Sequence, residues 1–257
     1  MLSCNFKRTI TLINQAERLR LFLDYDGTLA DFAPSPDHVL PDEEVIGILH
    51  GLKANPAIRV AVVSGRRLSH VRKLVPIESI LLAGTYGIEQ LTPQGKVFNR
   101  LDYEHIRPQL EALKPQWMAQ IGNESGFYLE DKGWSLAIHA RFADQQKAEK
   151  VLQRAREVAQ RWIDEDQFRI LGGDKFLEVA PKIANKGETI AYLLEYYPWE
   201  GALPIYIGDD DKDEEAFAEI NARGGISILV AREARPTQAG CRLDSPQDVR
   251  RWLRSIT

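Results

Sequence analysis

Leu21-Phe22-Leu23-Asp24-Tyr25-Asp26-Gly27-Thr28 is the stretch from which the fold of this chain is read. An apolar run that feeds straight into two carboxylates, one residue apart, reads as a buried strand with charge at its C-terminal end. Such carboxylates repel each other and cannot both leave water without compensation. A divalent cation supplies it, and hard Mg²⁺ favours oxygen ligands of this kind. Gly27 lets the chain turn sharply and come close to a ligand. Asp-Gly-Thr alone describes an ordinary turn closing a strand. Asp24, with the partners below, makes it a catalytic strand end.

Three further segments repeat the pattern. Val60-Ala61-Val62-Val63 runs into Ser64-Gly65-Arg66, and Ile205-Tyr206-Ile207 runs into Gly208-Asp209-Asp210-Asp211-Lys212-Asp213. Asn185-Lys186-Gly187 opens a helix just ahead of the second of these strands. In an open parallel sheet, ligands bind outside the carboxyl ends of the strands. Each segment also has a plain explanation: Ser64 as a helix cap, Lys186 as a solvated lysine, residues 209–213 as acids favoured at a helix start. All four in this order, at the ends of parallel strands, specify a site.

The first third alternates short apolar runs at 21–23, 59–63 and 80–83 with amphipathic stretches at 42–54 and 68–74. The same grammar returns with helices at 186–194, 213–221 and 248–256 and strands at 203–207 and 226–231. Continuous apolar strands separated by helices imply a parallel sheet covered on both faces. Between the two parts the order becomes strand, helix, hairpin, helix, hairpin. Strands are expected at 95–101, 127–130, 134–141, 168–171 and 176–179, with helices at 103–120 and 144–163. The expectation is an α/β core, 1–88 and 182–257, interrupted by an inserted α+β domain at 89–181.

A length of 257 residues, 44% hydrophobic and 27% charged, describes a soluble protein with a full core. The net charge of −4 gives no basic footprint for nucleic acid or an anionic membrane. No apolar run approaches membrane-spanning length, and residues 1–20 lack a signal-peptide h-region. Cys4 and Cys241 are too few for a disulfide framework, so a reduced, cytoplasmic enzyme is expected.

These motifs resemble the haloacid dehalogenase-like phosphatase superfamily, and within it the chain is most similar to trehalose-6-phosphate phosphatases. The resemblance rests on residues 23–29, Val63-Ser64-Gly65-Arg66, Glu178-Val179-Ala180-Pro181, Asn185-Lys186-Gly187 and residues 208–217. It implies that Asp24 is the nucleophile, forming an aspartyl-phosphate, and that Asp26 is the general acid and base. Mg²⁺ would be held by Asp24, Asp209 and the backbone of Asp26, with Asp210 and Asp213 completing or orienting the shell. Tyr25, Asp26, Gly27, Thr28, Ser64, Gly65, Arg66 and Lys186 form the implied phosphate-binding set, with Lys186 neutralising the oxygens. In the insert, Glu130, Lys132, Arg141 and Glu178 are the implied sugar contacts. Trp134 reads as core.

The chain departs from the family at three places. Tyr86 and Lys212 stand where the family has His and Thr, and Ala140 where it has an aromatic. The implied substrate is trehalose 6-phosphate, a small-molecule sugar phosphate. Tyr86 and Ala140 leave open another phosphorylated glycoside: glucosyl- or mannosyl-glycerate phosphate, or sucrose phosphate. Functional coupling to a sugar-phosphate synthase is also left open. A phosphate-binding regulatory module without turnover would need neither Asp26 nor an insert of this size.

Overall fold

The computed structural model describes residues 4–31 and 40–257; residues 1–3 and 32–39, and the side chains of residues 4–8 and 10, among them that of Cys4, lie outside this set. The chain divides into two compact units, residues 1–98 with 185–257, and residues 99–184.

The first unit is built on an eight-stranded sheet. Its strands are β1 (Leu19–Leu23), β2 (Ile58–Val63), β3 (Leu81–Gly84), β4 (Glu89–Leu91), β5 (Val97–Asn99), β10 (Leu203–Gly208), β11 (Ile226–Val230) and β12 (Cys241–Leu243), in the order β12-β11-β10-β1-β2-β3-β4-β5. From β12 to β3 every neighbouring pair is parallel, and β4 adds to β3 antiparallel. Around it lie α1 (Cys4–Gln15), α2 (Glu43–Ala54), α3 (Leu68–Leu74), α6 (Lys186–Tyr196), α7 (Glu214–Ala222) and α8 (Pro246–Ser255).

Alternation along the strands assigns the two faces, because successive side chains point to opposite sides. Leu21, Leu23, Val60, Val62, Ile205 and Ile207 join one core with Val45, Ile48, Leu49 and Leu52 of α2 and with α3 and α8. Phe22, Ala61, Val63 and Tyr206 join the other with Ile190 and Leu193 of α6 and Phe217 and Ile220 of α7. Each fully buried large side chain contributes about 1.5–3 kcal/mol from water exclusion. The α2 start shows how locally this is specified. Asp42 accepts from the amides of Glu44 and Val45, Glu43 and Glu44 meet the positive end of the helix, and the apolar residues follow at three- and four-residue spacing.

The second unit has a four-stranded antiparallel sheet. Its strands are β6 (Tyr128–Asp131), β7 (Leu136–His139), β8 (Phe168–Gly173) and β9 (Phe176–Pro181), in the order β6-β7-β9-β8. Two helices, α4 (Tyr103–Ile121) and α5 (Gln145–Trp162), complete it. Ala148, Ala155 and Ala159 are buried on α5, and the Trp117 indole of α4 donates to the Ala155 carbonyl at 2.9 Å. Small side chains allow that approach.

The α/β class with an α+β insert is the observed one. The point of division differs from the sequence-based boundary of 89–181. Residues 89–91 and 97–99 extend the core sheet beyond β3, so the strand expected at 95–101 belongs there and the second unit begins at Asn99. Strands of three residues carry too little pattern to assign them to either sheet. No helix among the described residues is long and apolar enough to cross a membrane.

Candidate active site

Four adjacent strands, β3, β2, β1 and β10, end side by side, and each carboxyl end delivers a polar segment. Asp24 follows β1 directly and is fixed by its amide donating to the Ile207 carbonyl at 3.0 Å. Ser64 follows β2, Asp209 follows β10, and Thr85-Tyr86 follows β3. Lys186 is the first residue of α6, whose cap is the Asn185 side chain accepting from the Glu188 amide.

The centre is a buried charge cluster. Lys186 is 3% exposed, and its ammonium lies 3.0 Å from Asp24 Oδ1 and 2.5 Å from Asp213 Oδ1. A carboxylate oxygen from each of Asp24, Asp209 and Asp213 falls within 4.8 Å of the others. Thr28 donates to Asp209 at 3.2 Å. The two oxygens of Asp213 are both engaged: Oδ1 by Lys186 and the Tyr206 hydroxyl, each at 2.5 Å, and Oδ2 by the amides of Asp209 and Asp210 at 2.9 and 3.0 Å. Four donors use the lone pairs a carboxylate offers.

The titration behaviour follows from this crowding. Burial pushes the Asp24 carboxyl well up, Lys186 pulls against it, and the charges of Asp213 and Asp209 add to the rise. Burial and the Asp213 charge push Asp209 up to about 7. Burial would raise Asp213 too, but Lys186 and its hydrogen-bond donors outweigh that and leave it below the usual range. Burial would likewise lower Lys186, and Asp213 with Asp24 reverse the direction. The cluster thus holds more negative charge than its one buried ammonium compensates.

The other expected residues fall into distinct places. Asp26 is held by Arg66 in a two-pronged ion pair, Nε to Oδ2 at 2.6 Å and Nη2 to Oδ1 at 2.8 Å. Arg66 is therefore committed to a carboxylate in this structure, a partnership forty residues apart in sequence. Ser64 is buried; its Oγ accepts from the Arg66 amide at 3.1 Å, and α3 is capped at Arg67, so the helix-cap explanation of Ser64 does not hold. Gly27 has a φ of 73°, and its amide closes a turn on the Ala30 carbonyl at 2.8 Å, so that donor is spent within the loop. The Tyr25 ring is packed in the apolar core. Asp210 accepts from the Lys212 amide at 2.9 Å as the cap of a one-turn 3-10 helix, and lies outside the group of three carboxylates. Here the helix-start explanation holds.

Sequence reasoning missed Tyr206 and noted Tyr86 only as a departure from the family. Tyr206 gives its hydroxyl to Asp213, yet within Ile205-Tyr206-Ile207 it reads as one more core position. Tyr86 is 3% exposed, with φ 54°, next to Thr85 at φ 48°. Left-handed backbone at two successive non-glycine residues costs about 1–3 kcal/mol each and gathers where a site demands it.

In the second unit, Glu130, Lys132 and Glu178 are brought together. The fully buried Glu178 accepts from Lys132 at 3.0 Å and from the Ser135 hydroxyl at 2.7 Å. Glu130 pairs with His139 at 2.9 Å, and Lys132 lies 3.9 Å from it. Burial would raise the Glu130 carboxyl, but His139 and Lys132 outweigh it and leave it lowered. Arg141 stands exposed in the turn after β7, and no ion pair joins it to this network among the described residues. Trp134 is buried, edge-on to Tyr103 at 4.9 Å.

The sheet order and the carboxylate–lysine cluster at its strand ends are those of a haloacid dehalogenase-like phosphatase, as the sequence resemblance implied. A profile of the trehalose-phosphatase family matches residues 22–247. The chain belongs to the trehalose-phosphatase family and is a phosphoric monoester hydrolase. It is 32% identical over 240 residues to trehalose-6-phosphate phosphatase of Escherichia coli (strain K12), covering 92% of this chain and 85% of the relative. Identity to a probable trehalose-phosphate phosphatase of Sinorhizobium fredii is 34% over 213 residues, covering 82% and 77%. The C-terminal domain of trehalose-6-phosphate phosphatase from C. albicans shares the fold, with a TM-score of 0.86 at 21% identity over 99% of this chain and 97% of that one.

Proposed function

We propose that this chain releases phosphate from trehalose 6-phosphate through an aspartyl-phosphate on Asp24. The observation that carries the reading is the position of Asp24: buried at the end of the central strand, 3.0 Å from the Lys186 ammonium and beside Asp209. Hydrolysis of a phosphate monoester is among the slowest uncatalysed reactions, so positioning and charge neutralisation must supply the acceleration. In the first step an Asp24 oxygen attacks phosphorus, the bond from phosphorus to the sugar oxygen breaks, and Asp26 hands that oxygen a proton. In the second, water attacks the phosphorus of the aspartyl-phosphate, Asp26 takes the water's proton, and inorganic phosphate leaves with Asp24 restored. Lys186 and Ser64 stabilise the phosphoryl oxygens, and Arg66 steadies the Asp26 carboxylate between the two steps.

The donor set suits a hard divalent cation. It is all oxygen, and the raised Asp24 and Asp209 carboxyls show negative charge still wanting compensation. Mg²⁺ on Asp24 and Asp209 would neutralise the approaching phosphoryl group. Asp213, its oxygens already engaged, orients the Asp209 and Asp210 backbone and holds Lys186. Metal-free, the folded protein keeps a proton on Asp209 up to about pH 7, whereas the unfolded chain loses it near the ordinary value of 3.8. Between those limits the folded state binds more protons, so its stability falls as pH rises. Mg²⁺ needs the deprotonated form, so its stabilising effect grows over the same window. A thermal melt should show a small upward shift with Mg²⁺ at pH 5.5 and a large one at pH 8. A shift independent of pH would remove Asp209 from the metal site.

For the sugar, Glu130 and Lys132 are the proposed hydrogen-bonding groups, with Glu178 holding Lys132 from beneath. The test is phosphate release from trehalose 6-phosphate, sucrose phosphate and glucosylglycerate phosphate, by wild type and by Glu130→Ala. Trehalose 6-phosphate should be the best substrate. Losing one such hydrogen bond, worth about 1–3 kcal/mol, should cut its kcat/KM by roughly 10- to 100-fold. Hydrolysis of p-nitrophenyl phosphate, which has no sugar, should hold steady. Equal losses on both would assign Glu130 to the fold, and preference for another glycoside phosphate would change the substrate.

A further inference from the structure

The turn that carries Asp26 is closed largely by its own backbone. The amides of Leu29 and Ala30 both donate to the Tyr25 carbonyl at 2.9 Å, and the Gly27 amide donates to the Ala30 carbonyl at 2.8 Å. The Leu29 carbonyl is held from elsewhere: it accepts from Nη1 of Arg250 on α8 at 2.8 Å, a contact between residues 221 positions apart. Arg250 is 6% exposed, and carboxylates fix its guanidinium in place. Nε lies 2.9 Å from Glu44 of α2, and Nη2 lies 3.8 Å from Asp31. Glu44 also pairs with Arg254, four residues further along α8. The Leu29 side chain lies in the same apolar core as Val249 and Leu253 of that helix. Two arginines therefore act on one turn. Arg66 grips the Asp26 carboxylate by its oxygens, and Arg250 grips the backbone three residues on.

We propose that Arg250 is a positioning residue for Asp26, holding through the Leu29 carbonyl the turn from which that carboxyl reaches the leaving oxygen. The proposal rests on the reading of Asp26 as the general acid. A proton passes efficiently only across a hydrogen bond, and a misplacement of about 1 Å at a reacting group can cost roughly a hundred-fold in rate. Apolar packing of Leu29 resists its withdrawal from the core but has no preferred direction within it. A hydrogen bond from a charged donor has one, and it is strong. Arginine suits the task because its rigid fork meets the carbonyl with Nη1 and Glu44 with Nε at once, which the single nitrogen of a lysine cannot do.

The test compares kcat/KM, with Mg²⁺ present, for the best sugar phosphate of the panel above and for p-nitrophenyl phosphate. This quantity covers the steps up to departure of the leaving oxygen. A sugar oxygen needs a proton there, whereas nitrophenolate leaves without one. Arg250→Met should lower kcat/KM about ten-fold for the sugar phosphate and less than about two-fold for p-nitrophenyl phosphate. Arg250→Lys, which keeps one donor, should recover part of the loss. In an Asp26→Asn background, adding Arg250→Met should change nothing further on the sugar phosphate, because the arginine acts through that carboxyl. A purely structural arginine would lower the amount of folded protein, and so both esters alike. Equal losses therefore overturn the proposal, as does an unchanged rate on the sugar phosphate or a loss that persists without the Asp26 carboxyl. Should Arg250→Met fail to fold, Glu44→Gln decides: by loosening the guanidinium it should give the same selective loss in smaller measure, and its absence overturns the proposal. A wild-type protein that releases phosphate from neither ester overturns the phosphatase reading itself.

Discussion

On the proposed mechanism Asp24→Asn removes the nucleophile and a metal ligand in one change of atoms, and phosphate release should fall by at least about a thousand-fold. The fold should not suffer. Burial and the carboxylates of Asp213 and Asp209 push the Asp24 carboxyl well up, so its charged form is opposed by its surroundings. A neutral amide of the same shape relieves that opposition, and Lys186 keeps its 2.5 Å contact with Asp213. At pH 8 without metal, the variant should melt at or above the wild-type temperature. Paired measurements of phosphate release and melting decide it. Retention of more than a few per cent of the rate would remove Asp24 from the chemistry, and a large drop in melting temperature would make it structural.

Lys186→Met should damage both properties. The ammonium is 3% exposed and stands between Asp24 and Asp213, with Asp209 close by. Removing one partner from a buried ionic cluster costs about 3–5 kcal/mol, because the remaining charges stay out of water. For a chain of this size that lowers the melting temperature by roughly 6–20 °C. On the proposed mechanism turnover should be lost as well, since the phosphoryl oxygens would lose their cation. Adding Asp213→Asn to Lys186→Met should restore part of the stability and none of the activity, because the second change removes an unpaired carboxylate without replacing the cation. A single variant that melts like wild type would contradict the buried ionic cluster.

The parts of this site that sequence made legible are those where chemistry interrupts a pattern. Asp24, Ser64 and Asp209 each end an apolar run, and the parallel sheet brings those ends together by topology alone. Lys186 was found because it opens a helix in the right order along the chain. The illegible parts are pairings between distant residues. Arg66, implied as a phosphate contact, is paired with Asp26 here, and nothing in a linear motif announces that pairing. Tyr206 was hidden by the apolar residues around it, since only the third dimension aims its hydroxyl at Asp213. Tyr86 and Lys212 were noticed only as separate departures, 126 positions apart, and the structure joins them. In the insert, hairpin spacing brought Glu130, Lys132 and Glu178 into one network through cross-strand register, whereas Arg141 lies just past the end of β7 and escapes it.

The two junctions of the inserted unit differ in what an engineer could do with them. The outgoing junction, at 98/99, leaves from the last strand of the core sheet, where a changed linker length alters only an edge. The returning junction, at 184/185, is followed at once by the Asn185 cap and then by Lys186. A helix turns about 100° per residue, so one residue gained or lost after the cap would swing the ammonium away from Asp24 and Asp213. A foreign insert could therefore be spliced in freely at its start, but its end would have to be cut at the residue. The graft tolerates error on one side only.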